Sequence, residues 1–327
     1  MDNEQYLWYK LFCADGFGKK SINIIYESMK KNNMNIEELF DMNSAEFKKV
    51  FPELGSGRFN RANFQAIHNL DESTIRNEYD ELLQNNISIV HIDSKFYPRR
   101  VKELPDFSPP PVLFCQGQLS LFNAESIAIV GARKCSTVGK NLAKQTAKKL
   151  AIEGKNVVSG YARGIDISAH LGALETGGTT TIVLGSGICE FSSWKISSQQ
   201  NWKMNTLIIS QFHPKMKWSG QNATMRNKLT CALSEAVVVI ESGEEINDSG
   251  KRSGTFNTAK NALKMGIPLF VANFDQAPLG NRHLIELGGI PITPADAVPQ
   301  ILQFLDNKHK KRENFVSPQL GVSHFLF

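Results

Sequence analysis

A chain of 327 residues with 41% hydrophobic residues is long enough for roughly two or three domains around a sizeable core. Its formal net charge of +5 is modest, and its five cysteines are widely separated without a Cys-x-x-Cys pair, which argues against a disulfide framework and a zinc site. Acidic residues follow Met1 closely and no apolar run approaches the ~20 residues of a membrane span, so we expect a cytoplasmic protein without a signal peptide or membrane contact.

Residues 1–86 are predicted to form a small all-α domain, because apolar residues such as Leu7 and Leu11 recur at helical spacing. Glycine turns interrupt the pattern at 15–20 and 54–58. Each turn resembles the hairpin of a helix-hairpin-helix or SAM-like domain, in which backbone N–H groups approach a phosphate. Ordinary glycine caps of a small helical domain explain the same turns, so both interpretations stay open.

Residues 87–305 are predicted to form an α/β domain in which strands alternate with helices. The strand candidates are 127–130, 156–158, 180–184, 207–209, 236–240 and 267–271, and the helix candidates include 139–152, 165–175 and 255–265. Near-continuous apolar strands are typical of a parallel sheet covered on both faces, so we expect a Rossmann-like, doubly wound, mostly parallel sheet. Residues 306–327 are then a basic, flexible tail, too short for a winged-helix domain.

Two glycine turns, each followed by an arginine, predict an anion site at the carboxyl edge of this sheet. The first turn carries Gly131, Arg133 and Lys134, and the second carries Ser159-Gly160 and then Arg163. Free backbone N–H groups and a guanidinium at each turn suit a polyanion. Alternatively, one arginine pairs with a carboxylate such as Asp166 and only braces its turn.

Asp166 and His170 lie four residues apart on a predicted helix and share a face, which permits an acid/base pair. The more ordinary interpretation is that Asp166 bonds the first-turn amides or an arginine while His170 packs below the loop. A third ligand at metal-binding spacing is absent from the pattern, so we predict no metal site.

The segment 191–218 interleaves aromatic residues with lysines, which favours single-stranded nucleic acid. Trp194 and Trp202 are the candidates for stacking on bases, and Lys195 is a candidate for the phosphate backbone. Alternatively, some of these rings belong to the core, as we expect for Phe212.

Two further helix starts add candidate phosphate ligands: Arg226-Asn227-Lys228 and Ser253-Gly254-Thr255. The first is equally explained as a charged helix start, and the second as an N-cap. Six basic residues and no acids occur in 126–152, and the same holds in 195–228, which is the charge segregation of a phosphate-backbone binder. A solvated helix face is the alternative for the lysines at 144, 148 and 149.

Nucleotide cofactors are not expected. Gly185-Ser-Gly187 begins like a dinucleotide fingerprint, but Glu190 replaces the third glycine and would repel a pyrophosphate. The P-loop pattern is also missing from the sequence.

Over roughly residues 88–303 the chain resembles the DNA-processing protein A (DprA/Smf) family. The motifs that carry the resemblance are Val130-Gly-Ala-Arg133, Ser159-Gly-x-Ala-Arg163-Gly-Ile-Asp166, Ala169-His170-x-Gly172-Ala173-Leu174, Gly177-Gly178-Thr-x-x-x-Val-Leu-Gly185-x-Gly187, Arg226-Asn227-Lys228-Leu229 and Ser253-Gly254-Thr255-x-x-Thr258-Ala259, preceded by Asp93-Ser-Lys-Phe-Tyr97-Pro98 and Pro111-Val-Leu-Phe114-x-x-Gly117. The resemblance implies a cytosolic bacterial homodimer that binds single-stranded DNA and hands it to a recombinase, in DNA uptake and recombination, without cofactor or catalysis.

The chain departs from that family at Ser192-Ser193, at Gln211 and at 223–225, which leaves the DNA path through this segment open. The competing class is a Rossmann-like nucleotide sensor or nucleotide phosphoribohydrolase. Those enzymes carry Pro-Gly-Gly-x-Gly-Thr-x-x-Glu, whereas residues 251–257 lack the double glycine and the glutamate does not follow.

Overall fold

The computed structural model describes residues 3–250 and 252–316. Six α-helices precede the first strand: α1 Asn3–Cys13, α2 Lys19–Asn32, α3 Ile36–Asp41, α4 Ser44–Val50, α5 Phe64–His68 and α6 Glu72–Gln84. Asparagine and aspartate side chains begin four of them, because Asn35, Asn43, Asn63 and Asp71 each accept a hydrogen bond from a first-turn N–H. The helical character predicted for this region is confirmed.

The rest of the described chain forms an α/β domain that is built around one nine-stranded sheet. Its strands are β1 Ser88–His91, β2 Val112–Gly117, β3 Ser126–Val130, β4 Asn156–Ser159, β5 Thr180–Val183, β6 Thr206–Ser210, β7 Ala236–Val239, β8 Leu269–Ala272 and β9 Ile290–Ile292. Their order across the sheet is β1-β2-β6-β5-β4-β3-β7-β8-β9. Strands β3 to β9 pair in parallel, and β1 and β2 add an antiparallel edge. The predicted Rossmann-like, mostly parallel sheet is confirmed.

Helices cover the sheet on both faces, as the continuous burial of its strands requires. They are α7 Arg99–Glu103, α8 Thr137–Ile152, α9 Ile165–Glu175, α10 Gly220–Ala232, α11 Gly254–Lys264, α12 Leu279–Glu286 and α13 Ala297–Val316. The six predicted strands and the helices predicted at 139–152, 165–175 and 255–265 occur within one or two residues of their expected bounds. The helix start predicted at Arg226 is wrong, because α10 begins at Gly220 with Ser219 as its N-cap. Strands β1, β2 and β9 were not predicted; they are short or lie in the antiparallel edge.

Helix α1 joins the N-terminal helices to the sheet through buried aromatic side chains. The ring of Tyr9 meets that of Phe114 on β2 at 6.1 Å between centroids, and Trp8 stacks on His91 of β1 at 5.4 Å. One hydrophobic cluster therefore runs from α1 into the sheet, across the boundary predicted at residue 86.

The boundary predicted at residue 305 falls inside helix α13. Ile301 and Leu305 are buried, and Phe304 packs edge-on against Phe270 of β8 at 5.5 Å. The first part of the predicted flexible tail is therefore helical, because the same apolar stripe anchors the helix from which it continues. Residues 317–327 of that tail lie outside the described residues.

The chain reverses its winding direction between β3 and β7, which are neighbours in the sheet. The connections that follow these two strands leave in opposite directions and open a crevice at the carboxyl edge. Within residues 3–250 and 252–316, none of the helices has the length and hydropathy needed to cross a membrane.

Candidate functional site

A cleft of about 530 Å³ lies in the crevice between β3 and β7. We call it the switch-point cleft; the turn after β3 and the N-terminal turns of α10 and α11 enclose it. Eight of the predicted phosphate-binding residues line it: Gly131, Arg133, Lys134, Arg226, Asn227, Ser253, Gly254 and Thr255. Three segments far apart in sequence therefore meet at one site, as the sheet order requires.

Arg133 lies at the mouth of the cleft beside an exposed tryptophan. Its guanidinium carbon is 5.0 Å from the centroid of the Trp218 ring, and 54% of Trp218 is exposed. Gly185 makes room for this indole, since a Cβ at that position would lie 3.3 Å from the indole Nε1. The pair presents a cation and an aromatic face together, which suits a phosphate next to an unstacked base.

Arg226 braces the floor of the cleft from below. Only 5% of it is exposed, and its Nη1 lies 4.0 Å from Oδ2 of Asp166, which is also buried. Burial raises the pKa of Asp166 and Arg226 opposes that rise, whereas burial lowers the pKa of Arg226. The structure thus gives Arg226 the bracing role that the sequence analysis considered for Arg133 or Arg163.

Gly160 is required by this buried pair. A Cβ on Gly160 would lie 1.2 Å from Nη1 of Arg226, so only glycine leaves space for the guanidinium. The neighbouring Ser159 is buried and its hydroxyl donates to the Ile129 carbonyl at 2.6 Å, which ties β4 to β3. Both residues therefore shape the site from behind, and neither lines the cleft.

The turn after β3 is held by a carboxylate that the sequence analysis did not single out. The backbone N–H of Ser136 donates to Oε2 of Glu241 at 2.9 Å, and the Ser136 hydroxyl donates to Oε1. That hydroxyl also accepts from Gly139 N at 2.8 Å and so begins α8. Glu241 follows β7 in sequence, and no local pattern connects it with a turn 105 residues earlier.

The N-terminus of α11 forms one wall of the cleft. Ser253 is its N-cap, and its hydroxyl accepts from Phe256 N at 3.2 Å. Asn227 of α10 reaches across and donates to the Gly254 carbonyl at 3.4 Å. The positive end of the α11 dipole therefore faces the same space as Arg133, and the exposed Arg252 stands at the rim.

Arg163, Lys195 and Trp194 form a second group beside the cleft. Lys195 donates to the Tyr161 carbonyl at 3.1 Å and lies 4.5 Å from the centroid of the Tyr161 ring. Burial and then the nearby Arg163 lower the pKa of Lys195. Trp194 is 69% exposed, so a base could stack on it.

Trp202 and Phe212 pack in or against the hydrophobic core, which is the alternative to base stacking that was left open for these rings. Trp202 is half-buried and packs against the core, and Phe212 is 6% exposed, as predicted.

His170 is buried, its Nδ1 is 2.7 Å from the Thr180 hydroxyl, and burial lowers its pKa to about 3. His170 is therefore neutral and packs below the loop, as expected.

Two lysines of the basic segment 126–152 share one carboxylate, which offsets one of their two positive charges. Lys144 and Lys148 lie 2.5 and 2.7 Å from the carboxylate of Glu175. Four cationic side chains line the cleft, and because Arg226 is paired with Asp166, the other three are Arg133, Lys134 and Arg252. Lys228 does not line the cleft, because α10 turns it toward a separate pocket.

Comparison with known proteins identifies the family of this chain. The sequence profile of the DNA recombination-mediator protein A family matches residues 88–303. Protein Smf from Escherichia coli (strain K12) is 30% identical over 231 residues, which cover 68% of this chain and 59% of that protein. DNA processing protein DprA from Bacillus subtilis (strain 168) is 29% identical over 220 residues, which cover 66% of this chain and 71% of the relative.

Solved structures show the same fold. DNA processing protein A from Streptococcus pneumoniae superposes with a TM-score of 0.75 at 23% identity, covering 93% of this chain and 98% of that one. DNA processing protein A from Helicobacter pylori, whose structure gives insight into its single-stranded DNA binding mode, superposes with a TM-score of 0.54 at 24% identity, covering 66% and 96%. On the match of its sheet domain, this chain belongs to the DNA recombination-mediator protein A family.

Proposed function

We propose that this protein binds single-stranded DNA in the switch-point cleft and delivers the strand to a bacterial recombinase, acting by binding and not by catalysis. The observation that carries the proposal is the Arg133 guanidinium beside the exposed Trp218 ring, opposite the N-terminus of α11. In the described part of the chain, no carboxylate lies within 4.0 Å of that guanidinium. A phosphate can therefore take both of its outer N–H donors while a neighbouring base meets the indole.

Family membership supports the remaining parts of the proposal. The homodimer, the recombinase and a cytoplasmic location follow from the resemblance to the DprA/Smf family. The match spans 59% of E. coli Protein Smf. These partners are therefore proposed from family membership, and no contact within this chain is used as support for them.

A nucleotide-binding sensor or phosphoribohydrolase is the competing function. Its glutamate would stand at position 258, where this chain has a buried threonine whose hydroxyl donates to the Gly254 carbonyl at 2.8 Å. Asp166, a buried carboxylate in the lining of the cleft, is occupied by Arg226. These contacts favour a binding role for the cleft.

We expect the protein to bind single-stranded DNA more tightly than duplex of the same length, with little sequence preference. Affinity should fall steeply with salt, by a slope of about −0.7 per phosphate contact in a plot of log K against log salt concentration. A salt-titrated anisotropy assay on both DNA forms measures this. Equal affinity for the two forms, or affinity independent of salt, would contradict the proposal. Nucleotide turnover by the same sample that is lost in Asp166→Ala would instead support the enzymatic alternative.

The two candidate tryptophans should respond differently to truncation. Trp194→Ala removes an exposed ring, so we expect weaker DNA binding by about 1 to 3 kcal/mol, an unchanged salt slope and unchanged stability. Trp202→Ala removes a ring packed against the core, so we expect a lower free energy of unfolding. Urea unfolding and anisotropy on both variants measure the difference. Folded Trp194→Ala that binds like the parent would rule out stacking at this position.

A further inference from the structure

Four lysines converge where the N-terminal helices meet the sheet domain. Lys19 and Lys20 begin α2, Lys228 lies on α10 and Lys264 lies in the last turn of α11. They line a pocket of about 280 Å³, which we call the lysine pocket. Asp106 is the carboxylate among its lining residues, so the pocket carries a clear excess of positive charge.

In the described part of the chain, none of these ammonium groups forms an ion pair. Within the described residues, none of the four lies within 4.0 Å of a carboxylate oxygen. Lys19 is half-buried, with its ammonium 4.8 Å from the centroid of the Phe107 ring. Burial and then the nearby Lys228 lower the pKa of Lys19 to about 8. Like charges held together in this way repel each other, and an anion placed between them would relieve that repulsion.

The lysine pocket is connected with the switch-point cleft by two helices. Asn227 lines the cleft, and the next residue on α10, Lys228, lines the lysine pocket. Helix α11 begins in the cleft at Gly254 and ends in the pocket at Lys264, a length of about 15 Å at ~1.5 Å per residue. A DNA backbone can cover that length within a few nucleotides.

An apolar pocket next to these lysines suits unpaired bases. Its volume is about 470 Å³, it shares Lys19 with the lysine pocket, and its lining includes Phe12, Phe17, Met216 and Met225. Bases of a single strand have free faces that can enter such a pocket, whereas bases of a duplex are stacked inside the helix. The combination of lysines with an apolar pocket therefore fits a single strand better than a duplex.

We infer that Lys19, Lys20, Lys228 and Lys264 form a second phosphate site, which holds the backbone of single-stranded DNA where it leaves the switch-point cleft toward the N-terminal helices. The inference deepens the proposed function and rests on it. It gives the helical region a direct role in DNA binding, through the first turn of α2 and the lysines of two sheet-domain helices.

The test compares a short oligothymidine, which fills only the cleft, with a long one that reaches both sites. In Lys20→Gln/Lys264→Gln, both altered side chains are exposed, so the fold should persist. We expect affinity for the long strand to fall roughly tenfold at low salt and its salt slope to decrease by about 1.4, since two phosphate contacts are lost. Affinity for the short strand should stay at the parental value.

A matched control removes two charges elsewhere in the helical region. Lys48→Gln/Lys49→Gln changes exposed lysines of α4 and should leave both affinities unchanged. Parental affinity of Lys20→Gln/Lys264→Gln for the long strand, or an equal loss on both strands, would overturn the second site. A parent protein that binds neither oligothymidine would instead refute the proposed function itself.

A pH series tests the part played by Lys19. The titratable groups that line the lysine pocket with it are Lys20, Lys228, Lys264 and Asp106. Those of the apolar pocket that it also lines are Cys13, Glu78 and His213. Because the protonated amine binds phosphate, the affinity of the parent for the long strand should decline as the pH rises through about 8. Lys19→Arg keeps its charge and should show a flat profile over that range. The same decline in Lys19→Arg would assign the titration to another group and contradict the role of Lys19.

Discussion

Replacement of Arg226 by methionine should lower the free energy of unfolding by about 3 to 5 kcal/mol at neutral pH, because it leaves the buried Asp166 carboxylate without its cation. Methionine fills much of the same volume, so the loss reports on the charge and not on a large cavity. Urea unfolding followed by circular dichroism measures it. We expect DNA binding to weaken as well, since the cleft floor is formed by this pair.

The double variant Arg226→Met/Asp166→Asn serves as the control. It removes both charges, so most of the lost stability should return, as is usual when a buried ion pair is replaced as a whole. If the double variant is as unstable as Arg226→Met, packing and not charge is responsible.

The loss caused by Arg226→Met should also shrink in acid. Burial raises the pKa of Asp166 in the folded state, and removal of Arg226 raises it further. A carboxyl with a raised folded-state pKa binds a proton more readily when folded than when unfolded, so the folded state gains stability as the pH falls through that pKa. Measurements of the free energy of unfolding at neutral and acidic pH should therefore show a smaller gap between variant and parent in acid. A gap independent of pH would contradict this explanation.

Arg133→Ala should weaken binding to single-stranded DNA by about tenfold or more. A hydrogen bond to a charged group contributes about 1.5 to 3 kcal/mol, and about 1.4 kcal/mol corresponds to a factor of ten. Among the described residues, the exposed Arg133 has no carboxylate partner to release, so stability should stay within about 0.5 kcal/mol of the parent. The salt slope should fall by about 0.7, because one phosphate contact is lost.

Two variants distinguish a specific contact between Arg133 and a phosphate from a general effect of net charge on DNA binding. Arg133→Lys keeps the charge but loses the planar fork and its stacking on Trp218, so the salt slope should be retained while affinity recovers only in part. Lys149→Ala removes one exposed charge near the far end of α8 and should leave affinity nearly unchanged. An equal effect of Arg133→Ala and Lys149→Ala would show that only net charge matters and would place the DNA elsewhere.

Two of the turns that enclose the cleft were predictable because their signals are local. A run of β-branched and other apolar residues, then a glycine, then an N-cap serine lies within 11 residues before α8 (126–136) and within 18 residues before α11 (236–253). This holds for the segment from β3 to α8, where Ser136 caps the helix, and for the start of α11, where Ser253 does. Side chains that bond within their own turn can be found without knowing the fold.

The roles of the three arginines were not predictable in the same way. Arg133 and Arg163 follow glycine turns, and Arg226 was expected at a helix start although it lies in the middle of α10. Sequence patterning does not distinguish a buried arginine from an exposed one. The space left by Gly160 and the carboxylate of Asp166 select Arg226 for burial. That selection depends on the distance between β4 and α10, which are more than 60 residues apart in the chain.

The sequence alone determined the helical N-terminal region, the mostly parallel sheet, the carboxyl edge at which ligands should gather and the family, because apolar periodicity, glycine turns and caps act over short stretches. Only the tertiary structure decided that Trp218 and not Trp202 stands at the cleft, that Glu241 holds the turn after β3, and that Lys19 and Lys264 join Lys228 in one pocket. Each of these contacts depends on which strands become neighbours. It therefore depends on packing between segments that are distant in the chain, and the sequence of one such segment does not indicate which other segment it will contact.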